Sequence, residues 1–213
     1  MEAFTGIVFK ACETARSRFT GMRILLAALI ILLAGNVFAP MAHARESVVE
    51  FDPAQTEITF TLSDVLHTVH GIFKLKSGTI RFDPATGKAN GAIIVDATSG
   101  ESGNNSRDRK MHREILESAK FAEIAFTPTQ VTGTLAPHGS SQMEVSGQFR
   151  LHGQDHELTL PIQVQADGQR LDIKAHFIVP YDLWGLKNPS TFLLRVSDKT
   201  AIDFHALALL AAP

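Results

Sequence analysis

Cysteine is almost absent from this chain of 213 residues; the single thiol is Cys12, close to the start. Everything after it is without a disulfide, a thiolate nucleophile or a cysteine-held metal site. Nor does a long hydrophobic run occur. The most apolar stretch, Ile24 to Phe38, falls short of the ~20 residues that a membrane-spanning helix needs. Charge of one sign is also missing, with 20 Lys/Arg against 22 Asp/Glu. A weakly acidic balance does not suit a polyanion such as nucleic acid. The sequence contains no G-x-S-x-G elbow, no HExxH pair and no Gly-rich phosphate loop, so the familiar hydrolase, zinc-protease and nucleotide sites have no footing.

What is present begins with a leader. Arg16, Arg18 and Arg23 precede the Ile24–Phe38 stretch, and Ala42-His43-Ala44 follows it. A basic start, a short apolar run and an A-x-A site make the pattern of a secretory signal peptide. Residues 1–44 are therefore expected to be removed after Ala44, and Met22-Arg23 offers a second place where such a leader could begin. The remainder, residues 45–213, is of single-domain size. It holds 16 basic and 20 acidic residues, net -4, and no cysteine. The expected product is a periplasmic or secreted protein, soluble rather than membrane-anchored.

Downstream of the leader the chain alternates with period 2, the mark of strands with one buried face. Met143, Val145, Gly147, Phe149 and Leu151 are interleaved with polar residues, as are Leu158, Leu160, Ile162 and Val164. Leu171, Ile173, Ala175, Phe177 and Val179 repeat the pattern, with turns at Gly153-Gln154-Asp155 and Asp167-Gly168-Gln169. Those three strands form a meander of hairpins. Ile58, Phe60, Leu62, then Gly71, Phe73, Leu75, then Ile80 and Phe82 extend it, and residues 90–97, 121–127, 129–136 and 196–208 read as further strands. One segment prefers a helix: Asn104-Asn105-Ser106 offers caps, and Met111, His112, Ile115 and Leu116 fall on one face. An all-β, up-and-down barrel or sandwich with one short helix is expected. Its inward set holds Phe60, Phe73, Phe149 and Phe177 with branched aliphatics. Alternation alone does not decide between a plugged core and a tunnel.

Several stretches carry a family resemblance. Phe51-Asp52-Pro53-Ala54-Gln55-Thr56-Glu57-Ile58 resembles the opening of the YceI-like family of lipid- and polyisoprenoid-binding proteins. Asp64 to Phe73 is similar to its His-containing strand leading into Gly-x-Phe, and Gly78 to Pro84 to the strand and turn that follow. Arg107-Asp108 with Met111-His112 and Leu116 to Phe121 resembles its single helix; Val145-Ser146-Gly147 to Leu151-His152-Gly153 and Trp184 to Ser190 resemble its late segments. The resemblance spans residues 47–208. It implies an eight-stranded, antiparallel, lipocalin-like barrel with a helix beside its mouth, and an interior for isoprenoid quinones, polyprenyl phosphates or similar amphiphiles.

The apolar register gives Phe60, Phe73, Phe149, Leu160 and Phe177 as the expected tunnel lining, with Trp184, beside Tyr181, covering the tunnel end or capping the core. Arg107, Arg109, Lys110 and Arg113 make the helix start basic, which reads either as a solvated helix face or, through Arg107 and Arg109, as head-group contacts. No catalytic residue, metal ligand or cofactor is assigned, beyond a bound isoprenoid lipid or quinone. His67 and His70 lie three apart on a strand and so on opposite faces; His152 and His156 flank a turn without a third ligand at obvious spacing. The histidines are read as turn and surface groups. Two functions compete: a binding protein that holds a long lipid, and a plugged structural barrel that docks a protein partner with no ligand.

Overall fold

The computed structural model describes residues 46–63, 67–191 and 195–211. The expected leader lies outside the described residues. Eight strands follow one another: β1 (Ser47–Ser63), β2 (Thr68–Phe82), β3 (Ala89–Glu101), β4 (Glu123–Thr132), β5 (His138–Leu151), β6 (Gln154–Asp167), β7 (Arg170–Val179) and β8 (Thr200–Ala211). Each pairs antiparallel with its neighbours in sequence, and β8 returns to β1, so the sheet closes into a barrel. The eight-stranded antiparallel barrel expected from the resemblance is what the chain forms.

The period of the sequence sets the facing of the strands. On β5, Met143, Val145, Gly147 and Leu151 are buried while Gln142 and Glu144 are exposed. Directly opposite, Val145 meets Leu160, and across the next pair Ile162 meets Ala175. Consecutive strands thus present one apolar face to the interior. The hairpin between β5 and β6 has two central residues, His152 and Gly153, with φ of 52° and 78°. Positive φ at both is the signature of a type I′ turn, whose twist matches the flanking strands.

Three departures from strict alternation shape the barrel. In β1 the register slips between Phe51 and Thr56. The Asp52 carboxylate accepts from the Ala54 amide at 2.9 Å and from Gln55 Nε2 at 2.6 Å, holding the bulge and keeping its own pKa low. In β2 the inward set changes from Gly71, Phe73 and Leu75 to Gly78, Ile80 and Phe82 across a second shift. In β4 the sequence suggests two strands, 121–127 and 129–136. The structure instead runs one strand through Pro128 and leaves residues 133–137 as a loop. Proline is tolerated because the ladder is already irregular there: the register shifts between Pro128 and Gln130. Opposite it, Gly147 provides the clearance, since a Cβ there would sit 2.3 Å from Thr127 O and 2.8 Å from Pro128 Cα.

Among the described residues there is one helix, shorter than a regular one, and it changes pitch. α1 (Asn105–Lys110) is capped by Asn104, whose side chain accepts from the Ser106 and Arg107 amides. It continues as a π-helical turn, Met111–Ile115, in which the Leu116 amide reaches Met111 O at 2.9 Å. His112 ties this wide turn to the barrel. Its Nε2 donates to Gly100 O at 2.8 Å, so its Nδ1 accepts from the Ser118 hydroxyl at 2.9 Å. The following residues are pinned to the β5–β6 turn by Glu117 and His152, 2.9 Å apart, and by Phe121 packed on the His152 ring. No helix among the described residues is long and apolar enough to cross a membrane.

Candidate functional site: a chambered apolar interior

The interior is not filled. A deep chamber of about 160 Å3 occupies the middle of the barrel, and every residue lining it is apolar. Seven phenylalanines contribute, and their edge-on packing (Phe51 against Phe204 at 6.0 Å, Phe149 against Phe177 at 6.1 Å) leaves gaps that aliphatic cores close. An engineered cavity of roughly 150 Å3 with similar walls stays dry and admits benzene. A dry chamber of this size is therefore suited to a hydrocarbon group and hostile to water.

Above it lies a mouth chamber of about 470 Å3, between the ends of β1, β2, β5 and β7 and the helix. Phe73, Ile124, Phe149 and Ile202 line both chambers, so the two adjoin along those side chains. Unlike the deep chamber, the mouth has polar edges: Ser102, Ser106, Arg107, Lys110, Tyr181 and Thr200. Polarity is thus graded along the barrel axis, from cationic at the rim to purely apolar within.

The helix places the cations by its pitch. Arg107 and Lys110 are three residues apart and share a face; Arg109, two positions from Arg107, projects nearly opposite at about 100° per residue. Arg107 Nε donates to Ser102 Oγ at 2.7 Å and its Nη2 to Ser102 O at 2.9 Å, while the Ser102 hydroxyl donates to Asp108. This fixes the guanidinium at the rim with two of its five donors used. Arg109 instead donates to Ser106 Oγ at 3.0 Å and lines neither chamber.

Of the residues expected to line a tunnel, Phe73 and Phe149 touch both chambers, Leu160 and Phe177 the deep one, and Phe60 the mouth. Trp184 lines neither. It stacks on His156 at 4.2 Å with 6° between the planes, and packs on Phe149 at 5.7 Å from behind. Its turn is built by Leu186 N to Tyr181 O at 3.0 Å and Gly185 N to Asp182 O at 3.1 Å, with Gly185 at φ 85°. Trp184 therefore seals the wall at the mouth, as part of an apolar cluster with Leu151, Val179 and Leu186. The same cluster buries Tyr181, whose hydroxyl donates to Ser197 O; burial pushes its pKa up to about 12, helped by Asp182 and Asp198. Tyr181, Lys110 and Met111, which the sequence sets beside Trp184, in the basic helix start and on the apolar helix face, all line the mouth.

The described histidines are spread over the barrel. His152 pairs with Glu117, His156 lies against Trp184, His70 meets Thr61 at 3.1 Å, and His176 and His205 pair with Asp203 and Asp172 on the outer wall. Among the described residues no group of three or more His, Cys, Asp or Glu is arranged to hold a metal ion.

The family model described as YceI-like domain matches residues 50–208. The chain belongs to the YceI-like family. A UPF0312 protein of Shewanella sp. (strain ANA-3) is 33% identical over 144 residues, covering 65% of this chain and 70% of its own length. One from Vibrio parahaemolyticus is 29% identical over 131 residues, 59% of this chain and 64% of its own. Among solved structures, Burkholderia cenocepacia BcnA superposes with a TM-score of 0.60 at 14% identity, covering 74% of this chain and 98% of that one. A polyisoprenoid binding domain from Saccharophagus degradans does so with 0.58 at 17%, covering 78% and 98%. At these identities the solved structures show that this YceI-like chain shares their barrel fold.

Proposed function

We propose that this YceI-like protein binds a long amphiphilic lipid, an isoprenoid or a similar tail, with the tail in the deep chamber and the polar end at the helical rim. The observation that carries this reading is the graded interior: a deep chamber with apolar walls only, adjoining a mouth edged by Arg107, Lys110 and Tyr181. Transfer of each methylene from water is worth ~0.8 kcal/mol, so about ten buried carbons supply roughly 8 kcal/mol gross before ordering costs. Affinity of that origin needs little from the head group. The deep chamber offers no nucleophile, acid or base, which supports carriage over catalysis. The description of the Saccharophagus degradans neighbour as polyisoprenoid binding points the same way. The basic, apolar and A-x-A leader supports a periplasmic or secreted setting for this carriage.

Native mass spectrometry of protein purified from its own host tests the reading. The expected result is a lipid adduct on a chain that begins at Arg45. A delipidated protein that takes up neither quinones, prenyl phosphates nor fatty acids refutes carriage, and a full-length chain retained with Ile24–Phe38 refutes the setting.

A further inference from the structure

The barrel has a second cavity system at the end opposite the helix. It measures about 240 Å3 and lies among the first residues of β1, the β2–β3 turn, the β4–β5 loop and the β6–β7 turn at Gly168. Three residues, Phe82, Val131 and Leu135, line both this floor cavity and the deep chamber. These three side chains stand between the deep chamber and the floor cavity. Phe82 and Val131 are buried strand residues. Leu135 differs: it is only half-buried and belongs to the loop at 133–137.

The bonds of that loop leave Leu135 apart. Its C-terminal side is tethered, the Ala136 amide to the buried Ser141 hydroxyl at 3.0 Å and Pro137 O to the Gly168 amide at 3.0 Å. Its start is set by Val131 N to Gly87 O at 2.7 Å and by Gly133 at φ 111°. A change of the Leu135 rotamer breaks none of these.

Dimensions give the loop a task. β5 has 14 residues; at ~3.3 Å per residue and a tilt of ~40° the wall is roughly 35 Å tall. With C–C bonds of ~1.5 Å at near-tetrahedral angles, a chain advances about 1.25 Å per carbon. A tail of three isoprene units then spans roughly 15 Å and one of ten units roughly 50 Å by the same geometry. The deep chamber, close in volume to a cavity that holds one benzene, has no room for a tail to double back.

We infer that Leu135 is a movable floor plug, and that a prenyl tail longer than the barrel leaves through the gap between Phe82, Val131 and Leu135. The inference rests on the lipid-carrying reading above. Leu135 then sets which tail lengths are accepted, independently of the head group.

The test uses prenyl alcohols of three and ten isoprene units, each with a diazirine at the far end of the tail. On wild-type protein the ten-unit probe is expected to label residues 133–137 or Gly168, and the three-unit probe only interior residues. Leu135→Trp, which enlarges the plug, should weaken the ten-unit probe at least tenfold and leave the three-unit probe within twofold. Labelling of mouth residues such as Leu62 or Leu186 by the ten-unit probe overturns the inference without touching lipid carriage. Equal effects of Leu135→Trp on both probes also overturn it. Failure of wild-type protein to bind either probe removes the carrying reading itself, and the floor exit with it.

Discussion

Placing a carboxylate at Leu160 tests the facing of the whole sheet, because Leu160 is buried, lines the deep chamber and has no polar group beside it there. In Leu160→Asp the loss of leucine burial costs about 2–3 kcal/mol. Bringing even a neutral carboxyl into an unpartnered site costs roughly another 2 kcal/mol. At pH 7 the proton must also be held against an unfolded-state pKa near 3.9, which adds about 4 kcal/mol. The total, about 8 kcal/mol, rivals the 5–15 kcal/mol that holds a typical domain folded. Only the last contribution depends on pH. The folded-state pKa is raised above the unfolded one, so stability is greatest below about pH 4 and is lost as pH rises, at about 1.4 kcal/mol per unit. Relative to wild type, the variant should therefore regain close to 3 kcal/mol between pH 7 and pH 5, read by urea unfolding at both values. Thr159→Asp, one residue away on the exposed face, should stay within about 1 kcal/mol of wild type at both. A Leu160→Asp protein with wild-type stability, or a Thr159→Asp protein that loses it, would mean that β6 faces the other way.

Three further outcomes are expected. The chain has one tyrosine, so absorbance near 295 nm should report Tyr181 alone, titrating near pH 12 when folded and near 10 in urea; since the folded pKa is the higher, its contribution to stability should fade between those values, and a folded midpoint at 10 contradicts its burial. Gly147→Ala should lower Tm by several degrees through the clash with Thr127 O and Pro128 Cα, whereas Gly139→Ala, with open space at its Cβ but φ of 89°, should cost only about 1 kcal/mol of backbone strain. Arg107→Gln should weaken binding of a prenyl phosphate by about 1–3 kcal/mol and hardly change a prenyl alcohol, while Arg109→Gln should change neither; equal losses for both ligands would indicate a folding defect.

The facing of β5, β6 and β7 was legible because their apolar residues keep a strict period through 143–151, 158–164 and 171–179. The phase change in β2 could be read too, since Leu75 and Ile80 stand an odd number of residues apart. Pro128 misled: it reads as a break, yet a proline at a bulge opposite a glycine leaves the ladder without a missing donor. Facing was illegible in the segment around Trp184, where the chain has no period to extend. Arg107 and Arg109 look like one cluster in sequence, but helix pitch separates them and brings Lys110 to Arg107 instead. The π-helical turn after Lys110 depends on His112 reaching Gly100 O across the chain, a tertiary contact that local spacing does not encode.

Closure of the barrel has a bearing on folding order. Seven of its eight pairings join strands that are neighbours in sequence, five through connections of two to six residues and two, β3–β4 and β7–β8, across the longer segments 102–122 and 180–199, while the eighth sets Val48 opposite Ala211. Hairpins form within microseconds, but a seam between the ends of a domain must wait for the long-range search that makes high-contact-order topologies slow. Until β8 is in place, the chain is a curled sheet with two unpaired edges, the state most exposed to wrong partners. In that state the deep chamber and the mouth are a trough open along one side. A lipid of the proposed kind encountered then would be enclosed laterally as β1 and β8 zip together, without passing the rim at all.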